Sequence, residues 1–244
     1  MITKNQVKYI QSLGQKKSRD IENRFIAEGP KLVNELLTAE NCRIFQLLAL
    51  RGWIDENPNA GNQAEMIELS DVELEKISQL TSPNQVLAVI EKILWKGDPE
   101  IQGNISLALD TIQDPGNMGT IIRLADWFGI KNIFCSTDCA DVYSPKVVQA
   151  SMGSISRVRV EYTDILSWLM ENNDVRIYAA VLDGRDITKM EKISEGIIVI
   201  GNESKGINTE MLKLANVQIT IPGKGKAESL NAAVATGIIL SHLV

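Results

Sequence analysis

From Asn104 to the C-terminus the chain alternates short apolar runs with helical spacings, and this alternation restricts the fold more than any other feature of its 244 residues. The spacing predicts strand 105–110, helix 118–128, strand 131–135, helix 145–151, strand 157–161, helix 163–172, strand 175–181, strand 196–201, helix 208–214, strand 217–221 and helix 229–243. Strands separated by helices imply a mainly parallel sheet covered on both faces. Leu107-Ala108-Leu109 and Ile197 to Ile200 are the unbroken apolar runs that doubly covered strands require.

The first hundred residues read as a separate, smaller α/β unit. Gln6 to Leu13 carries Val7, Ile10 and Leu13 at helical spacing, Pro30 to Leu37 starts a helix with proline in its first turn, and Asp71 to Leu80 reads as a helix begun by a capping acid. Strands are expected at 43–50, 65–69 and 86–93. Trp95-Lys-Gly-Asp-Pro-Glu-Ile-Gln-Gly103 then breaks all periodicity. The expected organisation is a domain over 1–95, a linker over 96–103 and a domain over 104–244.

Charge and special residues exclude several functions. The opening Met1-Ile-Thr-Lys lacks the basic-then-apolar order of a secretion signal and no apolar run is long enough to span a bilayer, so the expected location is the cytoplasm. Cys42, Cys135 and Cys139 are too few for a disulfide framework, and with His242 the only histidine, neither a metal site nor a Ser-His-Asp or Cys-His catalytic set is expected. A net charge of −6 argues against non-specific coating of nucleic acid. Residues 1–35 nevertheless hold Lys4, Lys8, Lys16, Lys17, Arg19, Arg24 and Lys31 against only four acids, a local surplus that suits RNA contact or a solvated helix face.

Three glycine-bearing segments fall where strands give way to loops, the position at which α/β sheets hold ligands. They are Asp114-Pro-Gly-Asn-Met-Gly-Thr-Ile-Ile-Arg123, Ile200-Gly-Asn-Glu-Ser-Lys-Gly206 and Ile221-Pro-Gly-Lys-Gly-Lys-Ala-Glu-Ser-Leu-Asn231. In the first, the residues before Thr120 read as loop and Thr120 to Phe128 as a helix closed by Gly129, with Arg123 and Trp127 turned from its buried stripe. Arg123 alone is compatible with a surface ion pair to Asp126, Glu203 with a helix cap, and Ser229 with an N-cap. No phosphate-loop signature G-x-x-x-x-G-K-[ST] occurs, nor a G-x-G-x-x-G after the first strand, so neither a nucleoside triphosphatase nor a nicotinamide enzyme is supported.

Taken together and in this order, the three segments resemble the motif set of the SpoU (TrmH-type) branch of the SPOUT RNA methyltransferases. The resemblance covers essentially all of 104–244. It is looser over 1–95, where Phe25-Ile-Ala-Glu-Gly-Pro-Lys-Leu-Val-Asn-Glu-Leu-Leu37 looks like the opening of the ribosomal-protein-like RNA-binding domain that many members carry. It implies an α/β fold whose C-terminal parallel-sheet domain is closed by a deep trefoil knot, preceded by a small α/β RNA-binding domain. It also implies methyl transfer from S-adenosylmethionine to a ribose 2′-hydroxyl of RNA by a homodimer built on the C-terminal domains, while the two-domain organisation and the basic N-terminal segment point to ribosomal rather than transfer RNA. By the same resemblance Arg123 is the principal catalytic residue, accompanied by Asn117, Glu203, Ser229 and Asn231, while Gly201, Leu182, Ile221, Leu230 and Ser229 form the cofactor pocket. Thr120, Leu124 and the basic Gly223-Lys-Gly-Lys226 depart from the family's usual residues without removing any of these. A transfer-RNA enzyme, a base-methylating SPOUT enzyme and a non-catalytic RNA-binding assembly protein are the alternatives.

Overall fold

A computed structural model describes residues 2–62 and 64–244 and divides the chain into two compact units. The first comprises 1–96 together with 141–156, and the second comprises 97–140 with 157–244.

In the first unit the elements run α1 (Lys4–Ser12), α2 (Lys16–Glu22), β1 (Arg24–Glu28), α3 (Pro30–Leu37), β2 (Ile44–Leu50), α4 (Arg51–Glu56), β3 (Glu65–Leu69), α5 (Asp71–Ile77) and β4 (Val86–Glu91). Strand order is β1-β4-β2-β3, with only the β2–β3 pair parallel. Ile10 and Leu13 from the first helical segment, Leu74 and Ile77 from α5, and Ile26, Leu48, Leu87 and Val89 from the sheet bury one face. Sequence spacing did not anticipate α2, β1 or α4, which are too short to complete a periodic pattern. Helix α5 is capped by Ser70 rather than by Asp71: the Ser70 hydroxyl and the Glu73 carboxylate exchange the bonds of a capping box.

The second unit contains β5 (Ile105–Leu109), α6 (Pro115–Trp127) and β6 (Asn132–Cys135). Helix α7 (Pro145–Ser151) follows in the chain but belongs to the first unit, where it packs on β1. The second unit continues with β7 (Arg159–Tyr162), α8 (Ile165–Glu171), β8 (Ile177–Asp186), β9 (Gly196–Ile200), α9 (Thr209–Leu214), β10 (Val217–Thr220) and α10 (Ala232–Leu243). Its six strands are ordered β10-β8-β9-β5-β6-β7 and every neighbouring pair is parallel. Residues 107–109 and 196–200 are buried throughout, as doubly covered strands must be.

Three of the boundaries that differ from the expectation bear on the site. Helix α6 begins at Pro115, because Asp114 accepts the Asn117 N–H and proline is at home in the first turn; Gly116 and Asn117 are helical, not loop. Helix α10 begins at Ala232, capped by the Asn231 side chain on the N–H groups of Ala233 and Val234, so Ser229 is not its cap. Strand β8 continues to Asp186 and pairs with β10 in two pieces, the register jumping between Gln218 and Ile219. Gly184 lies in the intervening detour, where a Cβ would sit 2.8 Å from the Gln218 carbonyl carbon. The backbones cross so closely there that only glycine fits.

Strand order places the ends of β5 and β9 at the point where the chain turns from one half of the sheet to the other, with the ends of β8 and β10 beside them. All three glycine-bearing segments leave the carboxyl edge at or beside this switch, the usual ligand position of an open parallel sheet.

Candidate active site

Asn117, in the first turn of α6, joins the three segments. Its Nδ2 donates to Glu203 Oε1 and its Oδ1 accepts from Asn231 Nδ2 at 2.8 Å. The Asn231 Oδ1 simultaneously caps α10, so one amide is committed at both ends. Glu203 is half-buried, and the cap of the following helix α9 is Asn208, which removes the reading of Glu203 as a cap.

Arg123 projects from the same helix on an exposed face shared with Thr120 and Trp127. Among the described residues its side chain has no hydrogen bond or ion pair, and the alternative pairing with Asp126 is absent because Asp126 is held by Arg157, Nη2 to Oδ2 at 2.9 Å. The structure thus brings Asn117, Glu203 and Asn231 into one hydrogen-bonded chain and leaves Arg123 a free cation. Ser229 is exposed, and its hydroxyl has no partner among the described residues.

The candidate cofactor residues lie along the same sheet edge. Gly201 follows β9, and a Cβ there would sit 2.5 Å from the Gly206 carbonyl carbon, because the 201–206 turn closes on itself through paired bonds between Asn202 and Gly206. Leu182 is 76% exposed in the β8 detour, its carbonyl accepting from the Thr220 hydroxyl at 2.9 Å. Ile221 is half-buried and Leu230 is 43% exposed. Among the described residues the backbone of 222–230 makes no hydrogen bond to other backbone. Apolar side chains beside unengaged N–H and C=O groups are what a purine ring and its ribose can use.

A family model described as the SpoU rRNA Methylase family matches residues 104–241, and one described as an MRM3-like substrate binding domain matches 4–88. The chain belongs to the SpoU rRNA methylase family. It is 30% identical to the 23S rRNA (guanosine(2553)-2'-O)-methyltransferase RlmP of Bacillus subtilis, over 98% of this chain and 96% of that protein. A TrmH-family protein structure from Porphyromonas gingivalis superposes with a TM-score of 0.86 at 36% identity, covering 99% of this chain and 98% of the other. The AdoMet-bound rRNA methyltransferase of Sinorhizobium meliloti superposes with a TM-score of 0.87 at 30% identity, covering 99% and 95%.

In this SpoU chain, residues outside the three motifs support the site. Asp110, 7% exposed at the end of β5, accepts the Asn208 N–H at 2.8 Å and lies 3.0 Å from the Thr111 hydroxyl. Thr111 adopts a left-handed backbone, φ 60°, and its carbonyl accepts from Asn202 Nδ2 at 2.9 Å while its N–H donates to the Ser136 hydroxyl at 2.8 Å. Its own hydroxyl reaches either Asp110 or Asp138, both at 3.0 Å. The Ser136 hydroxyl, more than any other group, holds the Asp138 carboxyl below its ordinary range. Below this collar Cys139 receives the Ile112 N–H at 3.2 Å. Interaction with the Cys135 thiol, then Ser136 and the Ile112 N–H, brings Cys139 down to about 7 against the opposing effect of burial, while burial pushes Cys135 up. Nothing in the sequence marked Asp110 or Thr111; an acid ending an apolar strand before a loop was the only available signal. Among the described residues no group of three or more His, Cys, Asp or Glu could hold a metal ion, and no helix is long and apolar enough to cross a membrane.

Proposed function

We propose that this protein transfers a methyl group from S-adenosylmethionine to a ribose 2′-hydroxyl of ribosomal RNA. The observation that carries the reading is the chain Glu203–Asn117–Asn231, in which one polar side chain from each glycine-bearing segment meets beside an unpaired arginine.

The cofactor fits the residues at the sheet edge. Leu182, Ile221 and Leu230 supply apolar walls, the 222–230 backbone supplies donors and acceptors, and the tight Gly201 turn keeps side chains out of the way. When bound, S-adenosylmethionine supplies the electrophilic methyl carbon on its sulfonium. A guanidinium makes a poor general base, so the role of Arg123 is electrostatic. Its planar fork clamps an RNA phosphate beside the target ribose and stabilises the negative charge that develops on the 2′-oxygen, whose proton leaves to phosphate or water. Asn117, held by Glu203 and Asn231, orients the ribose, and Ser229 contributes a hydroxyl at the reacting end. Positioning of this kind supplies roughly 7–11 kcal/mol in well-oriented model systems.

The finer features of the reading are a homodimer, a knot and a cytoplasmic location. Trp127 on α6 and Val234 on α10 expose 82% and 52% of their surfaces on two helices that pack together, apolar surface suited to a second copy. The close crossing of Gly184 by Gln218 and Ile219 is the crowding a threaded C-terminal segment would create. A ribosomal RNA substrate is compatible with a cytoplasmic location.

Methyl-labelled S-adenosylmethionine and unmodified total RNA test the proposal. Label should appear in a 2′-O-methylnucleoside of the ribosomal fraction, and Arg123→Ala should lower kcat about 10²–10³-fold. Arg123→Lys keeps the charge but loses the fork, so near-full activity in that variant would refute the clamp. Label on a base, or in transfer RNA alone, would refute the stated reaction or substrate.

A further inference from the structure

The positive surplus of the first 35 residues is not one patch. Arg19 is buried, bound to the carbonyls of Leu13 and Gly14 and paired with Asp141, and Lys16 is paired with Asp20. Lys17 and Lys31 belong to α2 and α3, while the cations of α1 are joined by one from α5. Lys4 and Lys8, one turn apart on α1, and Lys76, in the last turn of α5, border a groove of about 440 Å³ floored in part by Ile2 and Val7. All three lysines are exposed, and none has an ion-pair partner among the described residues. Glu73, the carboxylate in this groove, is already engaged by the N–H groups of Ser70 and Ile2, of which Ser70 does most to hold it below its ordinary range. Like charges at i and i+4 destabilise a helix, so Lys4 and Lys8 are a cost until an anion lies across them.

The other flank of α1 carries a different chemistry. The Tyr9 hydroxyl accepts from Arg24 Nη1 at 2.9 Å, and the Arg24 guanidinium sits over the Phe45 ring, 3.3 Å from its centroid. Phe45 is 37% exposed although it belongs to a strand. A cation stacked on a partly exposed ring is a platform on which an unpaired base can stack, whatever its sequence.

We propose that this face of the first unit docks the substrate RNA, with Lys4, Lys8 and Lys76 on backbone phosphates and the Arg24–Phe45 stack receiving an unpaired base. The proposal rests on the ribosomal-RNA reading above and names the surface that reads it. Net positive charge around a groove whose acid is already engaged is complementary to a phosphodiester chain.

The test measures binding and turnover together on a large-subunit ribosomal RNA transcript. A Lys4→Gln/Lys8→Gln/Lys76→Gln triple variant, with Phe45→Ala as a second variant and Lys31→Gln on α3 as comparator, is assayed by filter binding at several salt concentrations and by methylation. The triple variant should weaken RNA binding and raise KM for RNA about tenfold, with kcat, S-adenosylmethionine affinity and thermal midpoint unchanged. Its plot of log affinity against log salt should lose roughly 0.7 of slope per phosphate contact removed. Phe45→Ala should weaken binding with little change in that slope. Unchanged RNA affinity in both, or loss confined to Lys31→Gln, would overturn the docking surface while leaving the methyltransferase reading intact. Lysine-dependent RNA binding without methylation would support the surface and overturn that reading instead.

Discussion

The loops that follow β5 and β9 and the loop that follows β10 leave the same edge of one parallel sheet, yet they are built in opposite ways. After β5 and β9 the chain is tied to its neighbours: Asp110 to Asn208, Thr111 to Asn202 and to Ser136 after β6, and Asn117 in the first turn of α6 to Glu203. After β10, residues 222–230 are exposed and make no backbone–backbone hydrogen bond among the described residues until Asn231 caps α10 and reaches Asn117. The first arrangement uses its polar groups for position, the second leaves them for a ligand. A site that must orient a reacting group and also enclose a separate cofactor has use for both, since preorganised dipoles cost no rearrangement during reaction and unengaged groups supply recognition.

Variants can break this contrast, and the largest effect is expected at its hinge. Asn117→Ala cuts both amide bridges, stranding Glu203 and Asn231; kcat should fall on the order of 10²-fold with S-adenosylmethionine affinity nearly unchanged, read by single-turnover kinetics and calorimetry. Equal loss of cofactor affinity would show that the two loops are not separable. Gly201→Ala places a Cβ against the Gly206 backbone and should destabilise the fold by about 1–3 kcal/mol by chemical denaturation while weakening the cofactor. An unaltered midpoint would mean that the turn relaxes freely.

Smaller effects sharpen the same contrast. Thr111→Val keeps the shape but loses a hydroxyl bonded to carboxylate, costing about 1 kcal/mol and a few-fold in kcat. Leu230→Ala, in the untied loop, should leave the thermal midpoint unchanged and raise KM for S-adenosylmethionine about threefold, at roughly 25 cal/mol for each Å² of apolar surface left uncovered on the bound cofactor. Cys139, under the tied loops, should show a thiolate absorbance with a midpoint near 7 that Cys139→Ser abolishes. Because its folded value is lowered from 9.0 to about 7, its contribution to stability is complete above pH 9 and disappears as pH falls through 7. The stability gap between wild type and Cys139→Ser should therefore widen from pH 7 to 9, and a constant gap would remove the thiolate from the account.

Much of the second unit was legible because its strands announce themselves: the buried runs of β5 and β9 have no polar face to blur them, and Pro115 and the glycine turns punctuate what lies between. Less of the first unit was legible, since β1 and the short helices α2 and α4 are held by packing on neighbours rather than by a periodic pattern. At the site, Asn117, Arg123, Glu203 and Asn231 stood out through their motifs. Asp110 and Thr111 did not, because a single acid and a single threonine have no sequence signature until their partners at Asn208, Asn202 and Asp138 are close.

The order of apolar runs and glycine turns was enough to specify a parallel sheet, a second smaller unit and the three segments that bear polar chemistry, because periodicity and turn residues act through neighbours in the chain. Only the tertiary structure decided that Asn117 bridges Glu203 and Asn231, that Asp126 pairs with Arg157 and so leaves Arg123 free, and that residues 141–156 fold with the first unit rather than the second. Those outcomes join residues up to 122 positions apart. Strand order and packing set such distances, and no local preference of the residues encodes them.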